Sequence, residues 1–168
     1  MQNKRLLTLL VLLSLMFSLL SCSKERRIEY CELGIILTKD FEPYDASGAF
    51  HAAYSDGSVI VGITRYSFVS CEEYGFLPTL TPKGFASVYL EMLDRGVDEN
   101  LTMHGDIPYF SYTNTDSSGN KYFYMPTFYR TPYAYFVITF ITPEINKEEG
   151  RVEFLKYIET VYILEEHL

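Results

Sequence analysis

The sequence has no tryptophan, three cysteines and three histidines in 168 residues, and each shortage removes a chemistry. Cys22, Cys31 and Cys71 form no C-x-x-C pair, so neither a thioredoxin-type couple nor a zinc knuckle is encoded. His51, His104 and His167 lack the H-x-H or H-E-x-x-H spacing that sets two imidazoles on one metal. No G-x-S-x-G elbow, P-loop or dinucleotide fingerprint occurs, so no cofactor is expected. Positive charge is scarce too: 14 Lys and Arg stand against 22 Asp and Glu, a formal charge of −8. That balance argues against nucleic acid as a partner, which needs a clustered positive face to displace counterions.

The longest apolar run, Leu6 to Leu20, is 15 residues and is broken by Thr8, Ser14 and Ser18. A spanning helix needs about 20. Preceded by Lys4 and Arg5, the run reads instead as the h-region of a secretory signal over residues 1–21. Leu19-Leu20-Ser21-Cys22 resembles a bacterial lipobox. The resemblance implies cleavage before Cys22, a diacylglyceryl thioether on its sulfur, and a lipid anchor on the extracytoplasmic side of a cell membrane. Stable anchoring takes at least two lipid chains, which this modification supplies. Residues 22–29 then form the lipidated Cys and a tether. Extended, Ser23 to Glu29 would reach on the order of 25 Å. Its Lys24, Arg26 and Arg27 either meet anionic lipid or are simply solvated.

Residues 30–168 are expected to form one domain, since 48% hydrophobic and 21% charged residues suit a packed core rather than a disordered tail. Tyr30 to Leu37 reads as a strand and Lys39 to Ser47 as a loop. Ala49–Ser55 and Ser58–Tyr66 flank Asp56-Gly57, the signature of a two-residue type I′ hairpin. Its second arm carries Val59-Ile60-Val61-Gly62-Ile63, continuously apolar and thus a central strand covered on both faces. Thr81-Pro82 opens a helix over 82–95, with Phe85, Val88, Tyr89, Met92 and Leu93 along one stripe and Gly96 as its stop.

Three antiparallel strands are expected near 107–114, 120–129 and 133–142. Asp116, Ser118 and Asn120 mimic the start of a calcium loop, but Lys121 and Thr127 occupy the positions that need Gly and Glu, so a hairpin loop explains them better. The pleat sets Tyr122 and Tyr124, and Phe128 too if no bulge forms at Pro126, opposite Phe123 and Tyr129. Pro143 ends the last strand, Asn146 caps a final helix containing Val152, Phe154, Leu155 and Ile158, and Thr160–Leu164 returns as a short strand. The fold class is α+β, a mainly antiparallel sheet covered by helices. Cys31 sits in an apolar strand-like run and Cys71 in a loop; export permits a disulfide between them, and two separate, partly buried thiols remain the other reading.

That order resembles the PsbP-like superfamily, through Cys31-Glu32-Leu33-Gly34-Ile35-Ile36-Leu37, Gly105 to Tyr112, Lys121 to Tyr124, and Phe154-Leu155-Lys156-Tyr157-Ile158-Glu159-Thr160-Val161. The resemblance covers nearly all of the chain after the leader and implies an α/β/α sandwich. Members include an extrinsic photosystem II subunit and a Ran-binding nuclear transport factor, and many bacterial lipoproteins look similar. No binding residue of either member maps onto a motif here.

Function is then open between two classes. One is a non-catalytic binding or accessory module, anchored to the bilayer through acylated Cys22 and serving a membrane protein complex or a small ligand. Its motive is the aromatic density between Tyr109 and Phe140, which holds 12 of 27 Tyr and Phe. Tyr joins a flat apolar body to a polar tip, so Tyr109, Tyr112, Tyr122, Tyr124, Tyr129, Tyr133 and Tyr135 are candidates for a ligand or partner surface. Filling a two-sided core would explain the same residues. The other class is a secreted hydrolase-like enzyme using a carboxylate pair drawn from Asp40, Glu42, Asp45, Asp56, Glu72, Glu73 and Asp106.

Overall fold

The computed structural model describes residues 25–93 and 99–164. Cys22, the leader, residues 94–96 at the expected end of the first helix, and His167 lie outside the described residues. In chain order the strands are β1 (Glu25–Tyr30), β2 (Leu33–Thr38), β3 (Glu42–Pro43), β4 (Ala52–Ser55), β5 (Ile60–Ser67), β6 (Glu99–His104), β7 (Ile107–Thr115), β8 (Lys121–Arg130), β9 (Ala134–Pro143) and β10 (Tyr162–Ile163). Helix α1 (Pro82–Met92) follows β5, and α2 (Lys147–Ile158) follows β9. Among the described residues no helix is long and apolar enough to cross a membrane.

All pairings are antiparallel and build two sheets: β1-β2-β10, and β3-β4-β5-β9-β8-β7-β6. Alternation along the strands of the large sheet divides the core in two. Val61, Ile63, Phe123, Met125, Tyr129, Phe136, Ile138 and Phe140 face the small sheet and α2, meeting Ile28, Leu33, Ile35, Leu37, Phe154 and Ile158. Phe110, Tyr112, Phe128, Tyr135 and Val137 face the other way, against Phe85 and Ala86 of α1 and Cys71 and Phe76 of the segment before it. This is the α+β sandwich expected from the sequence. β8 pairs with β9 without a register shift from Tyr122 to Arg130, so Pro126 causes no bulge and Phe128 shares the face of Tyr124.

Local chemistry accounts for most boundaries. Thr81 caps α1 through its Oγ1, which accepts from Gly84 N at 3.1 Å, and Pro82 begins the helix where a missing N–H costs nothing. Gly62 is required by close packing, because a Cβ there would sit 2.5 Å from the Phe50 ring. Gly150, unfavourable inside a helix, lets α2 approach β9; its Cβ would lie 2.8 Å from Thr142 Cγ2.

Four expectations need correction. The segment expected as tether is mostly strand: Glu25–Tyr30 pairs with Leu33–Thr38, and Arg26 is bound to Glu42 at 2.9 Å rather than offered to lipid. Tyr30 to Leu37 is accordingly a hairpin bent at Cys31 and Glu32, since Cys31 adopts φ 53°. The Asp56-Gly57 hairpin exists but closes with a four-residue connection, Ser55 pairing with Ile60. The Asp56 carboxylate holds it, accepting from Ser58 N at 2.8 Å and Val59 N at 2.8 Å, so an Asx-type turn replaces type I′. Asn146 stands at the start of α2 without a side-chain capping bond. β6 had no expected counterpart.

Candidate functional site

The strand directions give the molecule two poles. At the first, β1 begins with Glu25 and Arg26, whose guanidinium meets Glu42, and Glu42 pairs with Ser55, itself opposite Ile60. Five residues later Tyr30 reaches the pole where β5 ends at Ser67 and β9 begins at Ala134, about 17 Å away at strand rise. At that second pole the chain between Ser67 and Thr81 folds over the sheet. Phe68 N donates to Tyr133 O at 2.9 Å, Gly75 turns the chain at φ 80°, and Phe76 N returns to Cys71 O at 3.0 Å. The buried Tyr135 hydroxyl lies 2.8 Å from Leu77 O and 2.9 Å from Leu80 O, pinning the loop.

Between this loop and α1 opens a groove of about 520 Å³, lined chiefly by Tyr66, Glu73, Tyr74, Phe76, Tyr89 and Met92. Tyr66 is its hub. Its ring meets Tyr74 at 5.4 Å and 78°, Phe76 at 5.1 Å and 72°, and Tyr89 at 6.5 Å and 74°. Burial, reinforced by the neighbouring Tyr89 and Tyr74 hydroxyls, pushes the Tyr66 phenol well above its ordinary range, so it stays neutral. Tyr74 and Met92 are more than half exposed, which makes them reachable walls rather than core.

Tyr74 also borders a smaller polar recess of about 260 Å³ with Tyr30, Cys31, His51, Arg65 and Ser70. Glu32, in the β1–β2 turn, clamps Arg65 of β5 from Nε at 2.9 Å and NH2 at 2.6 Å, joining the two sheets. This bond raises the guanidinium pKa still further, and it leaves Arg65 matched rather than available to an anion. His51 Nδ1 accepts from Arg65 N at 2.9 Å, which assigns any proton of a neutral imidazole to Nε2. Burial and the adjacent Cys31 push the Tyr30 phenol up.

The seven tyrosines singled out by sequence do not share one surface. Tyr109 and Tyr129 are buried toward α2 and the small sheet, Tyr112 and Tyr135 toward α1. Tyr124 stacks on Tyr112 at 4.9 Å and 2°. Tyr122 borders a recess at the first pole with Glu42, Tyr44 and Ser58, and Tyr133 is exposed at the second. Tyr66, Tyr74 and Tyr89 were missed. Tyr89 reads as core from its helical spacing, while Tyr74 lies in a segment without periodicity; only contact between distant segments unites them.

Of the two readings of Cys31 and Cys71, the structure has separate thiols: Cys31 is an exposed free thiol at a turn and Cys71 a buried one, its Sγ 3.6 Å from Phe68 O. Burial pushes the Cys71 thiol up, making it a structural rather than reactive group. Nor do the suggested carboxylates converge. Glu42 pairs with Arg26, Asp45 accepts from Ser47 N at 2.9 Å, Asp56 closes its turn, and Glu73 alone of the set lines the groove. Among the described residues no group of three His, Cys, Asp or Glu could hold a metal.

The architecture is PsbP-like. The solution structure of cyanobacterial PsbP (CyanoP) from Synechocystis sp. PCC 6803 is similar over 85% of this chain and 94% of that one, with a TM-score of 0.55 at 8% sequence identity. A crystal structure from Bacteroides thetaiotaomicron VPI-5482 is similar over 87% of this chain, with a TM-score of 0.57 at 11% identity. This chain spans 50% of that one's length. No protein-family model and no curated protein matches the sequence.

Proposed function

We propose that the protein is an extracytoplasmic lipoprotein, held to a cell membrane by acylated Cys22, that serves as a non-catalytic binding or accessory module for a membrane protein complex or small ligand. The observation that carries this reading is the tyrosine-lined groove at the pole opposite the entry of the chain into β1. With lipid on Cys22, only Ser23 and Lys24 would precede that strand, so the body would sit near the bilayer with its groove displaced from the point of anchorage. Tethering raises the local concentration of a membrane partner, so a weak interface suffices. The turn-forming and ion-paired roles of Asp45, Asp56 and Glu42 favour binding over carboxylate-pair hydrolysis.

The test expresses the full chain, its Cys22→Ala variant and a Tyr74→Ala variant in a bacterial host that lipidates exported proteins. Radiolabelled palmitate should enter the first and third but not the second. A partner or ligand recovered in mild detergent should stay with the full chain and be lost from Tyr74→Ala. Label on Cys22→Ala would refute the anchor, and retention on Tyr74→Ala would refute the groove.

A further inference from the structure

The groove has a chemical bias that narrows what it can hold. Its walls are the rings of Tyr66, Tyr74, Phe76 and Tyr89, and its charged lining residue is an acid, Glu73. Tyr74, Phe76 and Tyr89 each stand at 72–78° to Tyr66, while Phe76 and Tyr89 lie within 10° of parallel, so ring faces of at least two orientations border one space. A ring face is the negative end of its quadrupole, so a cation placed over it is attracted electrostatically. The phenols add no competing positive charge, and Tyr66 remains neutral because burial disfavours its phenolate. The cation of the neighbouring recess, Arg65, is already engaged by Glu32. An anion would meet ring faces and a carboxylate, whereas a small, weakly hydrated cation meets complementary charge on each side.

We infer that the groove binds an organic cation, an alkylated ammonium group whose methyls lie against the faces of Tyr66, Tyr74 and Tyr89 and whose charge is balanced by Glu73. Met92 flanks these rings and accommodates an apolar body attached to the head. The inference rests on the groove being the binding surface proposed above and specifies its ligand class.

Choline and its neutral isostere 3,3-dimethylbutan-1-ol separate charge from shape. Residues 22–168, with Cys22→Ser to keep the protein free of lipid, are labelled with carbon-13 in the tyrosine rings and titrated with each compound by NMR. Choline should shift the Tyr66, Tyr74 and Tyr89 signals and bind about tenfold more tightly than the isostere, the ratio corresponding to about 1.4 kcal/mol. Tyr74→Leu, which keeps apolar bulk but removes a ring, should weaken choline without affecting the isostere. Tyr74→Phe should restore it, Glu73→Gln should weaken it, and Tyr44→Ala at the first pole should leave it unchanged. Equal affinity for both compounds would overturn the cation assignment while leaving an apolar binding groove. No ring shift with choline would overturn it as well, and the pull-down of the Tyr74→Ala variant then decides the broader reading independently.

Discussion

Tyr129 shows how little a single residue type reveals of its role. Its ring packs in the core facing α2 and the small sheet, and its buried hydroxyl has Thr127 as a neighbour but makes no hydrogen bond of good geometry. The nearby Thr127 hydroxyl instead donates to Ile138 O at 2.9 Å. An unpaired buried hydroxyl costs about 1–3 kcal/mol, so Tyr129→Phe should raise stability by roughly 1 kcal/mol in urea unfolding. A loss of stability would mean that the hydroxyl has a function in the folded state. The sequence identified this tyrosine as a surface candidate because pleat alternation separates two faces without saying which one a second layer covers. Thr81 was legible for the opposite reason: its cap bond spans three residues and depends on nothing distant. The groove tyrosines were hidden because Tyr66, Tyr74 and Tyr89 meet only after a loop, a strand and a helix have packed together.

At the scale of elements, hairpins were readable to within a residue or two where a turn residue makes its own bonds. The β7–β8 connection is the clearest case. Asp116 accepts from Ser118 N at 2.8 Å, Asn120 N at 2.9 Å and Asn120 Nδ2 at 3.1 Å, so the residues that mimic a calcium loop are consumed by the turn itself. The Asn120 side chain first, then the Asn120, Ser118 and Gly119 backbone amides, lower the Asp116 carboxyl below its usual 3.8. The sign follows from linkage. A folded value below the unfolded one contributes stability above about pH 3.8 that is lost as pH falls through the depressed folded value. NMR titration should find Asp116 still ionised below pH 3.8, with Asn120→Ala moving its midpoint upward. An unchanged midpoint would remove the side-chain amide as the cause. By contrast, β1 reads as a linker in the sequence because Glu25, Arg26, Arg27 and Glu29 dominate its composition, although Ile28 is buried and the strand lies at a sheet edge.

For the whole molecule, the order of strands and helices was enough to anticipate a sheet covered on both faces, since each layer must bury an apolar side. What could not be anticipated was the geometry relating entry point, groove and polar recess, which depends on the Glu32–Arg65 clamp between the two sheets. β9 gives this arrangement a thermodynamic consequence. It is buried along nearly its full length, sending Phe136, Ile138 and Phe140 to one core and Tyr135 and Val137 to the other. Because both reservoirs of hydrophobic contact are strung on one backbone, neither can melt while the other stays intact. Heating should therefore dissolve them in a single calorimetric transition, and a defect planted beneath either helix should be felt in the hydrogen exchange of the other.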